Sequence, residues 1–187
     1  MKLLVTQIVG ALFILLLSAQ VADAAMPQDS EHAKKTLEIY TKVISIETVQ
    51  GKGNVPKMAH YLADQFHQAG FNSKDVQVIE KDGLASLIVR YRGDNSTNTK
   101  PILLIGHMDV VNALPEDWQR PPFELTKDDK YFYGRGSIDN KLGVSMVSST
   151  FIRLRKEGFV PTRDLIIAFS GDEETGMITT RMLANDM

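Results

Sequence analysis

Three short polar clusters hold the residue types that hydrolytic chemistry needs. "GHMDVV" contains His107 and Asp109, "YGRGSIDNK" contains Asp139, and "GDEETG" contains Asp172, Glu173 and Glu174. In an extended segment residues i and i+2 point to the same side, so Asp109 can reach back towards His107. A carboxylate accepting from one ring nitrogen fixes the tautomer and leaves the other nitrogen free for a metal ion. Taken alone, the pair fits a satisfied core histidine or a surface turn better than a ligand. Asp139 follows a turn in which Gly134 and Gly136 let the backbone bend tightly. By itself it reads as the N-cap of the helix that follows. The acidic run has its own plain reading, a turn whose carboxylates favour a helix start. Yet neighbouring residues in extended chain point in different directions, so Glu173 and Glu174 can take separate tasks, one on a metal and one on a water. Three adjacent carboxylates also repel one another, and a bound dication relieves that repulsion.

The elements that must position these residues follow from periodicity. Ala33, Leu37, Tyr40, Val43 and Ile44 recur at helical spacing behind a Ser30 cap, which predicts a helix from Ser30 to about Thr48. A second helix is expected from about Val55 to Ala69, with Pro56 in its first turn and Gly70 as its stop. His32, His60 and His67 on these helices are read as solvated side chains. Strands are expected at Val76 to Ile79, Leu84 to Tyr91, Ile102 to Ile105 and Asp164 to Ser170. The third is apolar on both faces, as a central strand of a covered sheet should be. "FELTKDDKYFYGRG" predicts a hairpin, Lys141 to Lys156 a helix ending at Gly158, and the segment after "GDEETG" the start of another helix. Helices alternating with strands argue for a layered α/β domain. The three clusters then fall where such sheets present functional groups, in or beside the loops that leave the carboxyl ends of strands.

Composition sets the outer limits. The 187 residues, 43% hydrophobic and 24% charged, suffice for one ordinary domain with a sizeable core. With 21 basic and 23 acidic residues and a formal charge of -2, no nucleic-acid surface or polybasic membrane patch is expected. The absence of cysteine rules out disulfides, thiolate catalysis and cysteine metal sites, so any metal must be held by His, Asp and Glu. At the N-terminus, Lys2 precedes an apolar run from Leu3 to Leu17, and Ala22 and Ala24 are small residues suited to a cleavage site. This pattern predicts a secretory signal peptide over residues 1–24, export to a periplasmic or extracellular compartment, and no stable membrane association once it is cut. An uncleaved N-terminal anchor is the alternative.

Together and in this order, "GHMDVV", "WQRPPFE", "YGRGSIDNKLG" and "GDEETG" resemble the co-catalytic zinc metallopeptidases and amidohydrolases. That family includes aminoacylases, glutamate carboxypeptidases, carnosine-type dipeptidases and succinyl-diaminopimelate desuccinylases. The resemblance runs from about residue 30 to the end. It implies a layered α/β/α zinc-exopeptidase-like catalytic domain with a mixed sheet, of which residues 25–187 are the N-terminal portion, the second domain and C-terminal part being absent. It also implies two zinc ions bridged by Asp139, with His107 on one and Glu174 on the other, and cobalt or manganese as substitutes. Glu173 matches the general base and Asp109 the aspartate that supports the histidine. The implied reaction is hydrolysis of an amide in a small peptide or N-acyl amino acid by a metal-activated water, and the resemblance leaves room for a homodimer of the complete protein.

Two departures stand out. Asn112 replaces the proline usual after "DVV", which bears on loop rigidity. Each metal also receives two protein ligands here, whereas a catalytic zinc ordinarily has three. The missing ones, an aspartate and a histidine, are expected beyond Met187. A truncated, non-catalytic exported binding module on the same scaffold is the competing expectation.

Overall fold

The computed structural model describes residues 30–186, so the expected signal segment lies outside the described residues. Two amphipathic helices come first. Helix α1, Glu31–Ile44, is capped by the Ser30 side chain accepting from the Ala33 N–H, and α2, Val55–Gln68, has a proline in its first turn. The first helix stops four residues short of expectation. Beyond Ile44 the β-branched run Ile46, Thr48, Val49 turns extended, and Val49 forms a parallel bridge with Val110.

Four strands form the main sheet: β1 Val76–Lys81, β2 Leu84–Tyr91, β3 Ile102–His107 and β6 Leu165–Ser170, in the order β1-β2-β6-β3. The β1/β2 and β2/β6 pairs are antiparallel and β3/β6 is parallel, so the sheet is mixed as expected. The predicted hairpin forms from β4 Thr126–Lys127 and β5 Phe132–Tyr133. Helix α3, Lys141–Lys156, crosses from β5 back to β6, and α4, Ile178–Asp186, follows β6.

Period-two patterning decides which side of each strand is covered. Leu87, Val89 and Tyr91 of β2 and Ile167 and Phe169 of β6 face a core completed by Ile39, Val43 and Ile44 of α1, Met58, Leu62 and Phe66 of α2, and Val144, Phe151 and Ile152 of α3. Edge-to-face aromatic contacts run through it from Phe66 to Phe71, Tyr91 and Phe151, with centroids 5.3–5.8 Å apart. Helix α4 lies on the opposite side, against β2 and β6, which makes the layering α/β/α.

The expectation of a centrally placed β3 is corrected. It is the edge strand of the sheet among the described residues, and Leu103 and Ile105 are exposed, the latter by 78%. Its two-sided apolar pattern is the signature of a strand built to be covered on both faces, while here only the α1–α3 side is.

Candidate metal centre

The parallel register pairs His107 with Ser170, so β3 and β6 end flush and release their loops side by side. The Met108 N–H extends the ladder one step by donating to the Ser170 carbonyl at 2.8 Å. From the other flank, the buried Thr48 hydroxyl donates to the Met108 carbonyl at 2.7 Å, and the Val110 N–H donates to the Thr48 carbonyl. The segment after His107 is thereby held extended, the condition under which Asp109 lies on the histidine's side.

The third loop is fixed from three directions. The Tyr40 hydroxyl donates to the Ser137 carbonyl at 2.7 Å, the Arg135 N–H donates to the Pro122 carbonyl, and the Lys141 N–H closes onto Gly136, whose φ of 77° is in the left-handed region. Asp139 does not cap α3; the cap position is Asn140, without a side-chain capping bond. The Asp139 carboxylate instead reaches out of the loop, 69% exposed, to lie 2.9 Å from His107 Nε2.

Four of the residues picked out in the sequence converge. His107 Nε2 and one carboxylate oxygen each from Asp139 and Glu174 lie within 4.8 Å of one another. Glu173 stands beside them, its Oε2 4.0 Å from the same imidazole nitrogen. On the far side of the ring, Nδ1 lies 3.1 Å from the Asp109 carbonyl and 3.4 Å from its carboxylate. With Nδ1–H donating there, Nε2 presents its lone pair to the cluster.

Charge is concentrated at this point. Burial pulls the His107 pKa down, but the carboxylates of Asp109 and Asp139 outweigh it and leave the pKa raised to about 9. Burial also lifts the Glu174 carboxyl above its ordinary value, with Asp139, Glu173 and Asp109 adding to the rise and His107 opposing it. A cation at the cluster relieves this crowding. The donor set, one imidazole and two carboxylates, suits zinc.

Asp172 plays a different part from its two neighbours. It is buried, and its carboxylate accepts from the N–H groups of Ile178 (2.6 Å) and Thr179 (2.9 Å) and from the Thr179 hydroxyl, capping α4. The acidic run is therefore two carboxylates facing the cluster and one turned inward. Periodicity gave no signal for this, because the capped N–H groups lie six and seven residues further along the chain, across a turn.

Lys141 is a residue that motif reasoning passed over. It is fully buried at the start of α3, donates to the Ile46 carbonyl at 2.6 Å, and has its pKa lowered to about 7 by burial, which Glu47 partly opposes. Of the other histidines, His60 contacts Glu80 on the surface and none joins the cluster.

Residues 103–186 match the family described as peptidase family M20/M25/M40. Over 92 residues the chain is 42% identical to a probable carboxypeptidase S-like 2 of Dictyostelium discoideum, covering 49% of this chain and 18% of that one. Over 158 residues it is 32% identical to the N-fatty-acyl-amino acid synthase/hydrolase PM20D1 of Xenopus tropicalis, covering 84% and 30% respectively. Among solved structures, the dipeptidase Dug1p of Saccharomyces cerevisiae shares the fold with a TM-score of 0.69 at 24% identity, covering 82% of this chain and 35% of that one. The chain thus spans between 18% and 35% of the length of these relatives. The matched segment, residues 103–186, holds all three clusters, and it is a domain of peptidase family M20/M25/M40.

Proposed function

We propose that this chain carries part of the active site of an exported, metal-dependent hydrolase of amide bonds, acting on small peptides or N-acyl amino acids. The observation that carries the reading is the convergence of His107, Asp139 and Glu174 within 4.8 Å, with the Glu173 carboxylate beside them. In this reading His107 and Asp139 hold one zinc ion and Asp139 and Glu174 a second, with cobalt or manganese as substitutes. Bound there, the metal would lower the pKa of a water and polarise the substrate carbonyl.

The protein's own groups do the proton work. Glu173 accepts a proton from the attacking water as the new C–O bond forms, and returns it to the nitrogen as the C–N bond breaks. Asp139 and Glu174 would serve as ligands, and the Asp109 carbonyl keeps the His107 tautomer that offers Nε2. The substrate class draws on the relatives. A carboxypeptidase, an N-fatty-acyl-amino acid hydrolase and a dipeptidase share one target, an amide whose amine side is an amino acid. Export rests on the pattern of residues 1–24.

The assigned base is tested by Glu173→Ala in the intact protein. The expected loss in kcat is about 10²–10⁴-fold, with bound metal retained. Normal turnover by the variant overturns the assignment, and zinc binding without any hydrolysis by the unaltered protein favours a binding module instead.

A further inference from the structure

We propose that the Asp109 carboxylate is chiefly a positioning group for the Glu173–Glu174 segment, and only secondarily a support for His107. The inference rests on the assignment of Glu173 as base and goes beyond it, since it concerns what holds that base in place.

The geometry divides Asp109 into two halves with different partners. Its backbone carbonyl is the nearer acceptor for His107 Nδ1, at 3.1 Å against 3.4 Å for the carboxylate. The carboxylate itself is occupied elsewhere. Oδ1 accepts from the Glu173 N–H at 3.0 Å, and Oδ2 accepts from the Glu174 N–H at 3.0 Å. Both bonds bridge 64 or 65 residues of chain and join the loop after β3 to the loop after β6. A buried carboxylate that accepts two backbone N–H groups clamps the segment that donates them, and Asp109 is buried.

The opposite end of the same segment is clamped in parallel. The Asp172 carboxylate holds Ile178 and Thr179, its carbonyl accepts from Thr175 and Met177, and the Thr179 hydroxyl accepts from the Gly171 N–H. Glu173 and Glu174 therefore sit on a bridge fixed at both ends, their own N–H groups consumed by Asp109 while their side chains face the cluster. A base within hydrogen-bond reach of its water needs its backbone placed to a fraction of an ångström. The carboxylate of Asp109 supplies this from below the loop, without touching a reacting atom.

Asp109→Asn separates the two roles. It leaves the backbone carbonyl facing His107 unchanged, but its amide NH₂ must oppose one of the two loop N–H donors. In the intact metal-free protein, hydrogen exchange at the Glu173 and Glu174 amides is expected to quicken about tenfold or more, as for one lost hydrogen bond, while β6 amides keep their rates. In the zinc-saturated protein kcat falls about tenfold or more, whereas KM moves by less than about threefold. Unchanged exchange at these two amides overturns the proposal. So does zinc affinity weakened about tenfold with kcat at saturating metal intact, which would return the carboxylate to His107. Failure of the hydrolase reading leaves the exchange measurement valid, so the two failures are distinguishable. Should the variant not fold, the unaltered protein decides: Glu173 and Glu174 amides must exchange about tenfold or more slower than that of Gly176 in the same turn, and equal rates refute the clamp.

Discussion

His107 is an imidazole with a different neighbour on each nitrogen, and that arrangement explains why the residue is worth burying at a strand end. Nδ1 is committed to Asp109, and Nε2 faces Asp139, Glu173 and Glu174. Gly171 shows how little freedom the surrounding backbone has. A Cβ built there would collide with the Ala85 carbonyl of β2 and with Val55 of α2. The clash is with backbone, which cannot swing aside, so Gly171→Ala is expected to destabilise the fold by about 1–3 kcal/mol. Because Gly171 immediately precedes Asp172, the displacement passes straight into the glutamate segment, and metal affinity should fall along with the melting temperature. A variant with unchanged melting temperature and unchanged metal affinity would contradict this.

At the scale of elements, the site is the product of two strands ending together and one loop brought over them. Asp164, just before β6, fixes where that strand begins. Burial alone would raise its pKa, but the Gly93 N–H at 2.8 Å and the Arg90 guanidinium at 2.6 Å hold it below its ordinary value of 3.8. A depressed carboxyl contributes stability that is present above its ordinary pKa and is lost as pH falls through the folded one. Asp164→Ala is therefore expected to cost about 1–3 kcal/mol at neutral pH and to lose part of the parent's acid sensitivity below about pH 4. Denaturation curves measured from pH 2 to 7 check both, and parallel curves for parent and variant would contradict the role. The elements themselves were legible from periodicity because each buries one face: Ser30, Pro56, Gly70 and Gly158 mark helix boundaries in the sequence and in the fold. What periodicity could not supply was strand order. The pattern of Ile102 to Ile105 says that a strand is apolar on both sides, not which neighbours it has, and so β3 was expected at the centre. The Asp139 cap failed for a related reason. An aspartate before a helix satisfies capping rules locally, and only the packing of that loop over β3 shows the carboxylate turned to His107 instead.

At the scale of the molecule, α1–α3 close one face of the sheet and the cluster opens at the carboxyl end of its parallel pair, as the switch from strand to loop in layered α/β proteins favours. Among the described residues no helix is long and apolar enough to cross a membrane. The proposed export is tested by sequencing the N-terminus of the mature protein: a start at Ala25 is expected, and a start at Met1 would favour an anchored form. In the proposed function His107, Asp139 and Glu174 hold metal for amide hydrolysis. Calorimetric titration of zinc into the intact, metal-free protein, with hydrolysis of an N-acyl amino acid or dipeptide followed in the same samples, tests it most directly. Two ions bound at micromolar or tighter Kd, activity that appears with zinc, and loss of at least one ion together with activity in His107→Ala are expected; zinc binding unchanged by that substitution, or hydrolysis undiminished in chelator, would contradict this.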